Sequence, residues 1–203
     1  MTIFYLVRHG VTSHTGRRLS GRMPDIDLTD AGRTEAEGAA ASLANVPLKS
    51  IYSSPIDRCI QTARIIATKH KLSVRTRKDL SEVDYGSWTN RSLKSLVRTK
   101  LWSNVQRWPA GTRFPDGESF AEIQTRGVGV LETLRIQHPK DHVCVVSHGD
   151  VIRLVMAHYM GVHLDLFQRI QVGPASISVL GIGDSGPAVL TLNAPPGSPF
   201  GGT

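Results

Sequence analysis

Three short apolar runs, each followed by a helical pattern, constrain the fold of this chain more than any other feature. Residues 3–8 (IFYLVR), Ser50–Ser53 and 142–147 (HVCVVS) are apolar and β-branched or aromatic enough for buried strands. Behind the second run, Ser54 is placed to cap a helix, Pro55 suits its first position and Asp57 its first turn. Ile56, Cys59, Ile60, Ala63 and Ile66 then recur at helical spacing. Thr29 precedes another helical face, made of Ala36, Ala39, Ala40 and Leu43. Ser119 and Glu122 have capping-box spacing ahead of Phe120, Ile123, Gly127, Val130, Leu131 and Leu134, and Val151, Ile152, Val155 and Tyr159 continue the pattern after His148.

Alternation of this kind, with continuously apolar strands, predicts an α/β fold: a three-layer α/β/α sandwich with a mostly parallel sheet covered by helices on both faces. Residues 175–180 and 188–192 read as two late strands joined by 181–187, a hairpin at the sheet edge. The length suits one domain over residues 1–193, while the final stretch, 194–203 (APPGSPFGGT), lacks core-forming residues and reads as a disordered tail. Between Asn90 and Pro109 lies a basic amphipathic segment with Leu93, Leu96, Val97, Leu101 or Trp102, and Val105 at helical spacing. It reads as a helix packed on the body, and residues 90–118 as a lid-like insertion.

Composition narrows the function classes. The chain is 40% hydrophobic and 20% charged, ordinary for a globular protein. No apolar run approaches the roughly 18 residues of a membrane span, and no basic region precedes the apolar N-terminal stretch, so the cytoplasm is the expected location. Cys59 and Cys144 have apolar neighbours and read as two buried thiols, neither a disulfide nor a metal site. A net charge of +7 suits an anionic partner. The 24 Lys and Arg residues are scattered without a block of like charge, which favours a phosphorylated small molecule over nucleic acid or a membrane.

Ligands of parallel sheets bind beyond the carboxyl ends of the strands. Arg8 and His9 follow the first strand, Arg58 falls on the first turn after the second, and His148 follows the strand at 142–147. Helix N-termini at these points add free N–H groups and a positive dipole end. Arginine presents a planar fork of donors to phosphate oxygens, so Arg8 and Arg58 suit substrate binding and transition-state charge. A neutral imidazole is nucleophilic near pH 7, which makes His9 the candidate nucleophile, and His148 can donate to an equatorial oxygen. A leaving alkoxide needs a proton, for which Glu82 is the candidate general acid and Asp84 its local competitor. Two arginines and a histidine supply positive charge, so neither a metal nor a cofactor is expected.

Five motifs in order tie these residues together. Arg8-His9-Gly10, Ser53-Ser54-Pro55 with Arg58, Gln61 and Thr62, Leu80-Ser81-Glu82 with Gly86 and Trp88, Pro115-Asp116-Gly117-Glu118-Ser119, and Ser147-His148-Gly149 resemble the histidine phosphatase superfamily, the phosphoglycerate-mutase-like group. The resemblance implies a phosphorylated His9, phosphate contacts from Arg8, Arg58, His148 and Gly149, and proton donation by Glu82. It implies the same sandwich, a substrate face formed by Thr15, Gly21 and Arg22, and a homodimer as the family expectation. The chain departs from the family pattern at Val11, where Glu is common, at Thr15, where Asn often contacts phosphate, and at Thr89-Asn90, where Glu-Gly often follows the tryptophan.

Cofactor-dependent mutases of this group are typically longer, with segments that shield the phosphoenzyme from water. The expected function is therefore metal-independent phosphomonoester hydrolysis through a phosphohistidine on His9. A phosphoglycerate mutase-like phosphomutase is the first alternative, given the similarity to actinobacterial members labelled phosphomutases. A non-catalytic phosphate or nucleic-acid binding module is the second.

Overall fold

A computed structural model describes residues 1–200 of the chain. Within them, six strands form one sheet: β1 (Thr2–Arg8), β2 (Leu48–Ser53), β3 (Val74–Thr76), β4 (His142–Ser147), β5 (Ile177–Gly183) and β6 (Gly186–Ala194), in the order β3-β2-β4-β1-β5-β6. The first four are mutually parallel, while β5 runs antiparallel to both β1 and β6. The β5–β6 hairpin is longer than its turn residues imply, pairing as far as Gly183 and Gly186 because Ile182 is still buried in the core. Strand β3, only VRT and with two polar residues, carries too short an apolar signal to be read from sequence.

Six α-helices, α1 (Asp30–Leu43), α2 (Asp57–His70), α3 (Leu93–Leu96), α4 (Lys100–Arg107), α5 (Phe120–Gln137) and α6 (Gly149–Tyr159), are found among the described residues. Alternation along the central strands explains the layers. Phe4 and Leu6 of β1, with Val143 and Val145 of β4, join the core under α5 and α6, whereas Tyr5, Val7, Cys144 and Val146 join the core under α1 and α2. Both faces are buried, so these strands are continuously apolar between their end residues, over Ile3–Val7 and Val143–Val146. The Thr29 cap of α1 and the reciprocal Ser119/Glu122 box of α5 form as their residues predict. Cys59 and Cys144 are free and buried. Among the described residues no helix is long and apolar enough to cross a membrane.

Three expectations are corrected. Helix α2 begins at Asp57 rather than at Pro55, with Ile56 at its N-cap. The Ser54 N–H still bonds the Val146 carbonyl at 2.9 Å, which keeps the chain extended one step past β2, and its hydroxyl is engaged elsewhere. The segment from Asn90 is two helices, since Thr99 caps a second one by accepting from Trp102 N–H, and Val97 between them is 52% exposed. The stretch read as a disordered tail packs on α1: Gly197 N–H reaches Ser42 Oγ at 2.9 Å, and the Phe200 ring stands edge-on to Tyr5. Gly38 leaves room for this path, because a Cβ there would come within 3.0 Å of Pro196. Residues 201–203 of that stretch lie outside the described residues.

The loop after β1 touches α1 backbone to backbone. A Cβ on Gly32 would lie 2.1 Å from the Val11 carbonyl oxygen, and one on Gly10 would lie 2.3 Å from the Gly32 oxygen. Overpacking at such a contact costs about 2 kcal/mol. Gly32→Ala should therefore lower Tm by roughly 6 °C for a chain of this length, read by scanning calorimetry. An unchanged Tm would show that the two backbones separate without cost.

Candidate active site

Parallel pairing brings three strand ends into one row. Arg8 pairs with Ser147 and Ser53 with Val146, so the residues just beyond, His9, His148 and Ser54, emerge side by side at the carboxyl edge. Helix α2 then carries Arg58 over them, and the turn after β3 delivers Glu82. A pocket of about 160 Å³ opens at this edge, walled by Arg8, His9, Arg58, Glu82 and Gly149.

The protonation of His9 follows from its partner. Its Nδ1 lies 2.7 Å from the Gly10 carbonyl, which only accepts, so Nδ1 carries the proton and Nε2 the lone pair. Arg58 Nε donates to that Nε2 at 3.3 Å. Burial, then the nearby charges of Arg58 and Arg8, push the His9 pKa down to about 3, so the imidazole is neutral throughout the physiological range. Thr62 Oγ1 accepts the Gly10 N–H at 3.2 Å and Glu35 accepts the Val11 N–H at 2.8 Å, fixing the loop behind His9.

Both arginines keep a donor unused. Arg8 Nη1 bonds the Val172 carbonyl at 2.7 Å and Arg58 Nη2 bonds the Gly21 carbonyl at 2.7 Å. Arg8 Nε and Arg58 Nη1 are buried without a protein partner among the described residues. Buried donors without acceptors are costly, and an anion in the pocket would satisfy both.

His148 is fully buried, and desolvation together with Arg58 holds its pKa well below the usual imidazole range. Its Nε2 lies 2.8 Å from Ser54 Oγ, and that oxygen already accepts the Ile56 N–H at 3.3 Å. The ring's Nδ1 lies 3.4 Å from Arg58 Nη2, which can only donate, and 3.6 Å from a Glu82 oxygen. Ser54 is thus no helix cap. Its hydroxyl holds the His148 ring from the Nε2 side.

Glu82 occupies an acid's environment. Burial first, then the Asp150 carboxylate, raises its pKa to about 7, against the lowering influence of Arg58 and of the Val83 N–H. Asp84, its competitor, faces away: it is 42% exposed and pairs with Arg22 at 3.6 Å. Thr15 lines the pocket and its hydroxyl accepts the Thr12 N–H at 3.0 Å. Gly149 lines it too, at the N-terminus of α6, and a Cβ there would crowd Arg8 Nε at 3.2 Å.

Gly21 and Arg22 do not face the pocket as expected. Gly21, at φ +52°, offers its carbonyl to Arg58, and Arg22 lies behind Glu82, bonding its carbonyl at 3.1 Å and Glu118 at 2.9 Å. Glu118 also binds Arg126, which bonds the Ser81 and Glu82 carbonyls, so this network clamps the acid's loop. Long side chains of a loop carry no sequence signal for which way they turn.

Several wall residues escaped the sequence reading. His14 and Arg18 line the pocket from the loop after β1. On α6, Asp150 accepts from the Tyr85 hydroxyl at 3.2 Å and from Arg153 Nη1 at 3.1 Å. Asp150 and Arg153, three apart just after His148, share one helix face, and that spacing was the available signal.

The sequence model of the histidine phosphatase superfamily (branch 1) matches residues 4–195. The chain belongs to that superfamily. Phosphoserine phosphatase 1 of Hydrogenobacter thermophilus is 31% identical to this histidine phosphatase over 196 residues, covering 95% of this chain and 92% of that one. A probable phosphoglycerate mutase of Yersinia pestis, GpmB, is 30% identical over 177 residues, covering 86% and 82%. Among solved structures, Bacillus stearothermophilus YhfR superposes with a TM-score of 0.90 over 96% of this chain and 98% of its own, at 24% identity, which establishes the shared fold. The two relatives are thus described as a phosphatase and a probable phosphomutase of one superfamily.

Removing the hydroxyl that orients His148 gives a direct check of this histidine phosphatase geometry. Ser54→Ala should weaken orthovanadate binding about tenfold, the worth of one hydrogen bond to a charged group, as read by titration calorimetry. Unchanged affinity would show that His148 is oriented without Ser54.

Proposed function

We propose that this protein is a metal-independent phosphomonoesterase that works through a phosphohistidine on His9. The observation that carries the reading is the pair of buried, unpartnered donors, Arg8 Nε and Arg58 Nη1, in the pocket where a neutral His9 presents its Nε2 lone pair. A phosphate held there puts its phosphorus in front of the nucleophile and its oxygens against guanidinium groups. Residues 1–193 act as one catalytic unit, with 90–118 as its lid.

In the first step His9 Nε2 forms a bond to phosphorus, the ester P–O bond breaks, and the alkoxide takes the proton of Glu82. In the second, a water oxygen bonds phosphorus, its proton passes to the Glu82 carboxylate, the N–P bond breaks and inorganic phosphate leaves. The open pocket lets that water enter, which favours hydrolysis. The second reading, phosphoryl transfer within or between phosphorylated metabolites, draws on the relative described as a probable phosphoglycerate mutase.

Hydrolysis of p-nitrophenyl phosphate in EDTA by the intact protein and by His9→Ala tests the mechanism. Activity should survive the chelator and vanish in the variant; activity retained by His9→Ala would remove His9 as nucleophile.

The pH dependence follows from Glu82. Its pKa of about 7 keeps it protonated below that pH, so kcat on alkyl phosphates should fall as pH rises through about 7. Glu82→Gln should lose this alkaline limb and roughly 10²–10⁴-fold in rate on alkyl phosphates. In kcat/KM, which stops at the phosphohistidine and leaves out the second step common to both esters, it should lose far less on p-nitrophenyl phosphate, whose leaving group needs no proton. Equal losses on both esters would transfer the acid role to another group.

A further inference from the structure

We infer that the alcohol half of the substrate is a ring-sized apolar body, lodged in a second chamber beside the phosphate pocket. The inference rests on the phosphatase reading above and names the class of phosphomonoester it takes. The chamber measures about 330 Å³, within the lower range of small-molecule sites. Leu19, Tyr85, Leu93, Asp150 and Arg153 wall both spaces, so the chamber lies directly beside the phosphate pocket.

Beyond that throat the lining is mainly apolar, with Trp102, Val105, Phe114 and Phe120, and uncharged amides at Gln106 and Gln168. The chamber's only ionised groups among the described residues, Asp150 and Arg153, sit at the throat and are paired with each other at 3.1 Å, while the second Asp150 oxygen is taken by the Tyr85 hydroxyl. The carboxylate is thereby spent inside the wall. Arg153 keeps one buried N–H, at Nε, without a partner, which suits an oxygen close to the ester rather than a charge deep in the chamber.

A short polar phosphoester would satisfy Arg8, Arg58 and Arg153 and leave the apolar space to water, which such walls hold poorly. A ring fills it and gains the free energy of apolar burial. The lid supplies the platform. Leu93 comes from α3 and Trp102 from α4; both are partly buried, and Trp102 is held by its stack on Trp88, ring centroids 6.2 Å apart.

Propyl phosphate and 3-phenylpropyl phosphate test this, because both release a primary alkoxide and differ only in the ring. The kcat/KM of the ring ester should exceed that of propyl phosphate at least about tenfold. Trp102→Ala and Leu93→Asp should each bring the ratio close to one, and a ratio does not depend on the fraction of folded enzyme. Equal kcat/KM in the intact protein, or a preference that survives both substitutions, overturns the assignment. Calorimetric binding of the two esters to His9→Ala separates the inference from the reading beneath it. Tighter binding of the ring ester without turnover by the intact protein would overturn the phosphatase reading and uphold the chamber; equal binding would overturn the chamber.

Discussion

The buried guanidinium of Arg58 is the interaction on which the rest of the site depends. Its side chain is 2% exposed, and a charge in that position costs several kcal/mol unless its donors are met. The protein meets them from three directions: the Gly21 carbonyl, the lone pair of His9, and Nδ1 of His148. Each contact also does something to the partner. Gly21 anchors the loop after β1, and the positive charge beside His9 and His148 helps keep both rings neutral. One donor, Nη1, is left over, and it is the one that a phosphate would take.

The acid is built from the opposite logic. Glu82 sits where burial and the Asp150 carboxylate disfavour its ionised form, while two arginines lie near enough to attract the same carboxylate. Such opposed influences leave a carboxylic acid that can give up its proton and recover it near neutrality. The loop that carries it is held by main-chain carbonyls bonded to Arg22 and Arg126, and those arginines are in turn held by Glu118. The Pro115-Asp116-Gly117-Glu118-Ser119 segment therefore acts at a distance from phosphate, by bracing Glu82. It also closes against Gly86, whose φ of +51° and close approach to Pro115 leave no space for a Cβ.

What the sequence determined by itself is the local grammar, together with the candidates for the reacting groups. Strand runs buried on both faces must be continuously apolar, and caps such as Thr29 and the Ser119/Glu122 box act within a few residues, so both are visible in one dimension. His9, Arg8, Arg58 and His148 were named because each ends or follows a strand or opens a helix, places where parallel sheets put their chemistry, and Glu82 because a leaving alkoxide needs a carboxylic acid. Only the tertiary structure decided which side chains turn into the pocket. Ser54 orients a histidine 94 positions away instead of capping its own helix, Arg22 braces a loop instead of meeting substrate, and Asp150 and Arg153 wall the pocket from α6. Likewise the packing of Phe200 against Tyr5 depends on a surface contributed by distant residues. Hydrogen bonds and packing across such separations depend on the register of parallel strands, and periodicity along a single chain does not encode that register.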